Sequence, residues 1–222
     1  MLIGRDGDHE ALLHLLAGSR AGHGGVTVLR GVPGSGASTL LATVAGAALP
    51  DHTVLQARGR DAEASIPWAV VGELLAGLDP PPDDPVEAWS AIGLLRLLEA
   101  RSASRPLCLT VDDAHAADPE SIDALAFCVR RLARRPVLLV LARSPEPCRL
   151  DVHDLPERVL GALDPADLVR LVTARHDAAP TVIEAVARMT DGNPAATLEI
   201  VAQLDPAQRA GTEPLQIGRA HV

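Results

Sequence analysis

A glycine-rich loop near the start of the chain has the residue types needed to bind a phosphate group. Gly31, Gly34 and Gly36 follow an apolar run and precede a helical pattern, and Ser38 comes two residues later. Glycines let a backbone turn several N–H groups into one concave space, and the next helix adds the positive end of its dipole. The loop therefore predicts phosphate binding, with the Ser38 hydroxyl as a ligand for Mg²⁺.

The spacing of this loop matches the P-loop pattern G-x-x-x-x-G-K-[ST] except at one position. Ala37 stands where the pattern has a lysine, whose ammonium group reaches the β- and γ-phosphates. Losing that charge-assisted contact costs about 1.5–3 kcal/mol of net binding, or roughly ten- to a hundredfold in affinity. The alternative interpretation is a glycine turn that only joins a strand to a helix.

An acidic pair is the second candidate for chemistry. Leu107–Val111 is a short apolar run, typical of a strand buried on both faces, and it ends at Asp112 and Asp113. This is the Walker B form, so we predict that Asp112 binds Mg²⁺ together with Ser38. Asp113 takes the position of the acid that polarises water. Because Asp is one methylene shorter than the more usual Glu, the pair predicts slow hydrolysis.

Strand-like and helix-like patterns alternate through the first 150 residues, which favours a parallel sheet covered by helices on both faces. The predicted strands start at Val26 and continue with Thr53–Ala57, Leu107–Val111, Val137–Ala142 and a short one near Arg158–Leu160. The predicted helices of this part cover residues 8–17, Ile66–Leu78, Val86–Ala100 and a segment that opens at Asp118, with Leu132 and Ala133 on its apolar face.

The last third of the chain has a different pattern, because three helices follow one another. We predict them at Asp164–His176, Pro180–Thr190 and Asn193–Leu204, with starts marked by Asp-Pro and Asn-Pro pairs. The predicted domains are therefore an α/β nucleotide-binding domain over residues 1–150 and a helical lid over residues 151–216. Residues 217–222 match the translation of a common sequencing adapter, so we expect a non-native tail there and a natural protein that continues.

Composition narrows the classes of function. The formal net charge is −9, all 20 basic residues are arginines, and Trp68, Trp89 and Phe127 are the only aromatic residues. A negative field and few stacking platforms argue against direct contact with nucleic acid. The N-terminus has no signal-peptide pattern and no apolar run reaches 18 residues, so we predict a cytoplasmic protein without a membrane segment.

Several other polar residues have ordinary structural interpretations. Cys108, Cys128 and Cys148 lack metal-ligand spacing and are predicted to be reduced thiols. His115 follows the acidic pair without a partner at ligand spacing, so we interpret it as a neighbour of the site or an exposed side chain. The arginine cluster at residues 130–135 is predicted to be a solvated surface near a helix end, rather than a nucleic-acid patch or an arginine finger.

Taken together, the motifs resemble those of STAND proteins, which are signal-transduction ATPases related to the AAA+ group. The likeness rests on Leu2-Ile-Gly-Arg5, the P-loop, VDDAHAADPESIDALAF, VLLVLARS and DGNPAATLEI, in that order. It is nearest to the module near the N-terminus of large LuxR-type bacterial transcriptional regulators. The resemblance implies a P-loop NTPase fold of the α/β class, with a five-stranded parallel sheet in the order 5-1-4-3-2 and a small all-α lid.

The same resemblance implies roles for individual residues. Arg143, after the strand that follows Walker B, would read the γ-phosphate, and Asp113 would be the catalytic acid. Pro194 would pack on the adenine, and Gly4 and Arg5 would lie near the base. The nucleotide-binding residues would be Gly31, Val32, Pro33, Gly34, Ser35, Gly36, Ala37, Ser38, Thr39 and Pro194.

The function predicted from these features is an ATP-binding regulatory switch within a larger signalling or transcriptional regulator, with Mg²⁺ as cofactor and hydrolysis weak or absent. Its partners would be the nucleotide and either other domains of the parent chain or a second copy. The alternative is a pseudo-ATPase scaffold that no longer uses nucleotide, as Ala37 suggests. A small-molecule P-loop kinase is a third and weaker hypothesis, because the acidic pair and the late helices fit a lid-gated switch better.

Overall fold

A computed structural model describes residues 2–82, 88–146 and 155–215 of the chain. The described residues form two compact units. The sheet unit comprises Gly7–Gly31 and Ala37–Val159, and the helical unit comprises Met1–Asp6, Val32–Gly36 and Leu160–Val222. The domain division expected after residue 150, the expected tail at 217–222 and Cys148 lie outside the described residues.

The sheet unit is built on five strands in the order β2-β3-β4-β1-β5. The pairs β2–β3, β3–β4 and β1–β4 are parallel. The predicted α/β class and the sheet order are therefore confirmed, with the loop strand β1 inside the sheet. The strands are β1 (Gly25–Gly31), β2 (Thr53–Arg58), β3 (Leu107–Asp112), β4 (Val137–Arg143) and β5 (Glu157–Leu160).

The helices of the sheet unit differ from the prediction mainly at their ends. The helix predicted from Ile66 begins at Ala69, because Trp68 has a left-handed backbone (φ +67°) that cannot continue a helix. The helix predicted from Val86 begins after Ser90, whose hydroxyl caps it by accepting from the Gly93 N–H. These helices are α1 (Asp6–Arg20), α2 (Ala37–Ala48), α3 (Ala69–Ala76), α4 (Ala91–Ser104) and α5 (Pro119–Val129).

The fifth helix is also shorter than predicted. α5 ends at Val129, so Leu132, Ala133 and the arginine cluster follow it instead of forming its last turns. Leu132 is still buried in the core. Arg131 stacks over the Phe127 ring at 3.6 Å and donates to the Phe127 carbonyl, so this arginine covers the end of the helix, as the surface interpretation predicts.

Apolar side chains bury both faces of the sheet. Leu107, Leu109 and Val111 of β3 join the core formed with α3, α4 and α5, and their neighbours Cys108 and Thr110 are also buried. Since successive strand residues point to opposite faces, neither face of β3 is open to water. Burial raises the pKa of the Cys108 thiol to about 12, as expected for an inert structural cysteine. Among the described helices, none is long and apolar enough to cross a membrane.

A buried hydrogen bond joins α1 to the turn before β2. The Ser19 hydroxyl and His52 Nε2 are 2.8 Å apart, and both residues are almost fully buried. Ser19 also donates to the Leu16 carbonyl at 2.8 Å. Burial, reinforced by the nearby Arg20 guanidinium, lowers the pKa of His52 below its usual 6.5.

This histidine makes the folded state sensitive to acid. In the unfolded chain His52 binds a proton near pH 6.5, whereas in the folded chain it binds one only at a lower pH. The unfolded state therefore takes up more protons as the pH falls below 6.5, and the free energy of unfolding decreases. Urea unfolding at pH 7.5, 6.5 and 5.5 should show a loss of at most about 1.4 kcal/mol per pH unit from this group. The substitution His52→Gln should flatten the profile, and an unchanged slope in that variant would contradict the assignment.

The helical unit contains the helices predicted for the last third of the chain, within three residues at each end. Its cores are built from small and branched apolar side chains such as Ile183, Val186 and Val201 in one cluster and Leu163 and Leu168 in another. Its helices are α6 (Pro165–Thr173), α7 (Pro180–Met189), α8 (Pro194–Gln203) and α9 (Pro206–Arg209).

Candidate nucleotide-binding site

The carboxyl ends of three adjacent strands bring four of the predicted site residues, Gly31, Asp112, Asp113 and Arg143, to one edge of the sheet. β4 lies between β1 and β3, and Arg30 of β1 is directly opposite Arg143 of β4. Gly31 ends β1, Asp112 ends β3 and Arg143 ends β4. In open parallel sheets, ligands bind at this edge, so the fold places these residues where a nucleotide site is expected.

The first turn of α2 supplies the other sheet-unit residues of the loop. Ala37 is the first residue of the helix, and the side chains of Ser38 and Thr39 are exposed. The helix packs on β1, β3 and β4. A helix N-terminus leaves its first N–H groups without helical partners and favours an anion. No acidic residue lies in this first turn, so nothing there would repel a phosphate.

The central part of the loop, residues 32–36, belongs to the helical unit. Val32–Ser35 forms a tight turn in which the Ser35 N–H donates to the Val32 carbonyl at 3.0 Å. Gly34 and Gly36 both have positive φ, +83° and +98°. Only glycine adopts these angles without strain, so the sequence pattern is matched by the cradle-like backbone that a phosphate requires.

An ion pair holds the predicted catalytic acid. Asp113 has a left-handed backbone (φ +45°), and its Oδ2 accepts from Arg58 Nε at 2.8 Å and lies 2.6 Å from Arg58 Nη2. The hydrogen bond to Asp113 raises the pKa of the Arg58 guanidinium further. Arg58 ends β2 and is in register with Asp112. In this arrangement the charge of the Asp113 carboxylate is compensated by an arginine, while 35% of the side chain stays exposed.

A glycine lets the backbone of β2 approach the acidic turn closely. Gly59 follows β2, and its N–H donates to the Asp112 carbonyl at 2.9 Å. A Cβ at Gly59 would lie 2.2 Å from the Asp113 carbonyl oxygen and 2.7 Å from the Ala117 nitrogen. The Asp112 side chain accepts from the Asp113 N–H at 3.0 Å, which orients the carboxylate predicted to bind Mg²⁺.

The predicted sensor arginine is also engaged in an ion pair. Arg143 Nη2 lies 2.8 Å from Glu157 of β5, and Arg30 Nε lies 2.9 Å from the same carboxylate. Burial alone would raise the pKa of Glu157, but the hydrogen bonds from Arg30 and Arg143 outweigh it and lower the pKa. Glu157 therefore remains ionised and shares its charge between two guanidinium groups.

His115 contacts the loop that follows β4. Its Nδ1 accepts from the Ser144 N–H at 3.3 Å, so the turn after β3 is linked to the turn after β4. This agrees with its interpretation as a neighbour of the site. No group of three or more His, Cys, Asp or Glu side chains that could hold a metal by itself occurs in the part of the chain that is described. A metal here would need phosphate oxygens to complete its ligands, as Mg²⁺ with Ser38 and Asp112 does in the prediction.

The Gly192-Asn193-Pro194 motif lies at the junction of α7 and α8. Gly192 has φ +73°, Asn193 caps α8 by accepting the Ala196 N–H at 3.1 Å, and Pro194 is a buried first helical residue. Asn193 and Pro194 thus mark the start of the helix, as the Asn-Pro pair predicts, and Gly192 closes the turn before it. Arg5, the other predicted neighbour of the base, is a buried side chain of the same unit.

Sequence patterns did not identify Arg58 and Glu157, the ion-pair partners of the two predicted catalytic residues. Both are single charged residues at strand ends, without a motif around them. The only available signal was topological: Arg58 directly follows the predicted second strand, Thr53–Ala57, which the implied sheet order places beside the Walker B strand. A charged residue at the carboxyl end of a neighbouring parallel strand must come close to the acidic pair.

The fold and the loop geometry together define a P-loop nucleotide-binding domain. Residues 1–140 match the family described as the AAA ATPase domain, which is more than half of the 222 residues. The chain therefore belongs to the AAA ATPase domain family. No functionally curated protein matches the chain in sequence.

Solved structures share the fold at low sequence identity. The Aeropyrum pernix ORC2 protein, solved as ADPNP–ADP complexes, is 18% identical with a TM-score of 0.65, covering 95% of this chain and 64% of that one. Cdc6p from Pyrobaculum aerophilum is 16% identical with a TM-score of 0.68 and coverages of 90% and 60%. Drosophila ORC bound to DNA is 17% identical with a TM-score of 0.64, covering 90% of this chain and 54% of that one. The chain thus spans about three fifths of these relatives.

Proposed function

We propose that this chain is a nucleotide-binding switch module of a larger signalling or transcriptional regulator of the STAND type. The observation that carries the proposal is the glycine cradle, with positive φ at Gly34 and Gly36, between the end of β1 and the start of α2. The ADPNP–ADP complexes of the similar Aeropyrum pernix protein support nucleotide as the ligand class.

In this proposal the chain's own residues divide the work of binding. Backbone N–H groups of the loop and of the first turn of α2 would bind the phosphates, apart from Pro33, which has no N–H, and Ser35, whose N–H donates to the Val32 carbonyl. Ser38 and Asp112 would hold Mg²⁺, whose role is to neutralise phosphate charge. Arg143 senses the γ-phosphate, and Pro194 packs on the base. Hydrolysis is slow, because Ala37 supplies no charge and Asp113 is held by Arg58.

The output of such a module is conformational, because nucleotide state biases how a lid domain packs. We propose a nucleotide-binding domain over residues 1–150 and a lid over residues 151–216, in a cytoplasmic protein. The partners are other domains of the parent chain or a second copy. The net charge of −9 supports a segment that does not itself contact nucleic acid or a membrane surface.

A pseudo-ATPase scaffold is the second candidate function, and Ala37 is the observation that favours it. The position begins α2, so a lysine there would extend from the helix N-terminus beside the glycine cradle. The chain contains no lysine that could take over this role. If the cradle alone binds too weakly, the domain serves only as an interaction surface.

Restoring the lysine tests the proposal directly. We expect Ala37→Lys to tighten Mg²⁺–ATP binding by about ten- to a hundredfold, because it returns a charge-assisted contact worth about 1.5–3 kcal/mol. Isothermal titration calorimetry on the unaltered chain and the variant measures this change. Ala37→Met is the matched control, since it adds a side chain of similar length without charge, and its affinity should stay near that of the unaltered chain.

The outcomes separate the two functions. Binding by the unaltered chain that tightens with Ala37→Lys but not with Ala37→Met supports a weakened switch. If neither the unaltered chain nor the lysine variant binds nucleotide while circular dichroism shows both to be folded, the switch proposal is wrong and the scaffold is favoured.

A further inference from the structure

Residues at the start of α8 donate hydrogen bonds to backbone carbonyl groups of the phosphate loop, residues 32–36. Asn193 Nδ2 donates to the Pro33 carbonyl at 2.8 Å, and the Ala195 N–H donates to the Gly34 carbonyl at 3.3 Å. The approach is close: a Cβ at Gly34 would lie 2.7 Å from Asn193 Oδ1 and 2.8 Å from the Ala195 Cβ. The start of α8 is thus packed directly on the loop.

A third carbonyl of the same loop is held by an arginine. Arg5 Nη2 donates to the Ser35 carbonyl at 2.9 Å and also to the Gly161 carbonyl. Arg5 is only 8% exposed and Ser35 only 3%, so these contacts are shielded from water. Three consecutive carbonyl groups of the loop therefore accept hydrogen bonds from outside it.

These contacts determine which way the loop N–H groups point. In a trans peptide the C=O of one residue and the N–H of the next point in opposite directions, and the described loop peptides are trans. Holding the carbonyls of Pro33, Gly34 and Ser35 therefore turns the N–H groups of Gly34, Ser35 and Gly36 away from these three donors. The Ser35 N–H closes the turn on the Val32 carbonyl. The N–H groups of Gly34 and Gly36 are the ones that the loop would direct at a phosphate.

Asn193 acts at the central peptide of the turn in the loop. Val32–Ser35 has proline second and glycine third, with φ +83° at Gly34, as a type II turn requires. Types I and II differ by a flip of the central peptide, here Pro33–Gly34. The hydrogen bond from Asn193 to the Pro33 carbonyl selects one orientation of that peptide. Asn193 thus performs two functions with one amide, since its oxygen caps α8 and its nitrogen holds the loop.

We infer that Asn193 is a positioning residue for nucleotide binding, which fixes the Pro33–Gly34 peptide so that the loop N–H groups are oriented before the phosphate arrives. The inference rests on the proposed function for its consequence. Pre-orienting donors lowers the cost of ordering them on binding. A change at α8 that withdraws Asn193 would then weaken the phosphate site, which gives the helical unit a direct means of regulating it.

Asn193→Ser separates the two functions of the amide. Serine is an equally good N-cap, so α8 should keep its stability, but its short hydroxyl cannot reach the Pro33 carbonyl. We expect an unchanged thermal midpoint, faster hydrogen exchange at the Gly34, Ser35 and Gly36 amides without nucleotide, and nucleotide affinity lower by about two- to tenfold, the value of one hydrogen bond. Asn193→Ala, which loses the cap as well, should also lower the thermal midpoint.

Hydrogen exchange of the loop amides and nucleotide affinity, both measured on the full chain, keep the outcomes distinct. Unchanged loop exchange in Asn193→Ser would overturn the holding contact, and faster exchange with unchanged nucleotide affinity would overturn its role in binding. If the unaltered chain binds neither ATP nor ADP but its loop exchange still depends on residue 193, the proposed function fails while the contact is supported.

Discussion

Replacing Asp118 with alanine is expected to lower the free energy of unfolding by about 3–5 kcal/mol, because several buried donors lose their acceptor at once. The Asp118 carboxylate is 1% exposed. Its Oδ1 accepts from the N–H groups of Trp68 at 2.8 Å and Ser121 at 2.9 Å, and its Oδ2 accepts from Val70 at 3.1 Å. One side chain thus caps α5 and also satisfies the start of α3.

Urea unfolding with a fixed m-value measures this loss. Asp164→Ala is the matched control, since Asp164 also precedes a proline at the first turn of a helix but is exposed and makes no capping hydrogen bond. Its substitution should change stability by less than about 0.5 kcal/mol. Equal losses in the two variants would contradict the role given to the three buried hydrogen bonds of Asp118.

Gly59→Ala is expected to cost about 3 kcal/mol and to displace the turn that carries Asp113. The added Cβ would meet backbone atoms at 2.2 Å and 2.7 Å, and backbone atoms, unlike the end of a flexible side chain, cannot move aside cheaply. The Gly59 N–H also bonds the Asp112 carbonyl, so a shift at residue 59 would be passed on to both acidic residues.

The control for this substitution is Gly72→Ala in α3, where a Cβ would meet nothing within 4 Å. A glycine within a helix destabilises it, so this variant should gain about 0.5–1 kcal/mol. Urea unfolding of both variants provides the comparison. A stable Gly59→Ala protein would mean that the acidic turn can be displaced from β2 without loss of the fold.

Local patterns in the sequence predicted the parts of the site that are local in the chain. The glycine loop, the acidic pair at the end of β3 and the capping role of Asn193 each depend on neighbouring residues, and each is found in the structure. The helix starts were less accurate. Nothing in the residue types around Trp68 predicts its left-handed backbone, because three contacts of the distant Asp118 and Ser121 hold that segment.

Contacts between residues far apart in sequence were not predictable in the same way. Arg58 and Asp113 are 55 residues apart, and Asn193 and Pro33 are 160 residues apart. Arginine and asparagine are common surface residues, and their types do not indicate partners at such separations. The predicted roles of Arg143 and Pro194 in binding remain predictions. Because Arg143 pairs with Glu157, a ligand that contacts this arginine would have to rearrange the ion pair.

The two ion-pair clusters give the edge of the sheet an electrical polarity. On the β4–β1–β5 side, the two guanidinium groups of Arg30 and Arg143 share one carboxylate, which leaves a charge of +1. On the β3–β2 side, Arg58 pairs with Asp113, and Asp112 lies in register with Arg58 on the neighbouring strand, so these three residues together carry a charge of −1. A ligand made of an anionic phosphate chain and a cation would be attracted in one orientation, with its phosphates toward β1 and its cation toward β3. Under the proposed function, this polarity would favour one direction of the ligand even without the missing lysine.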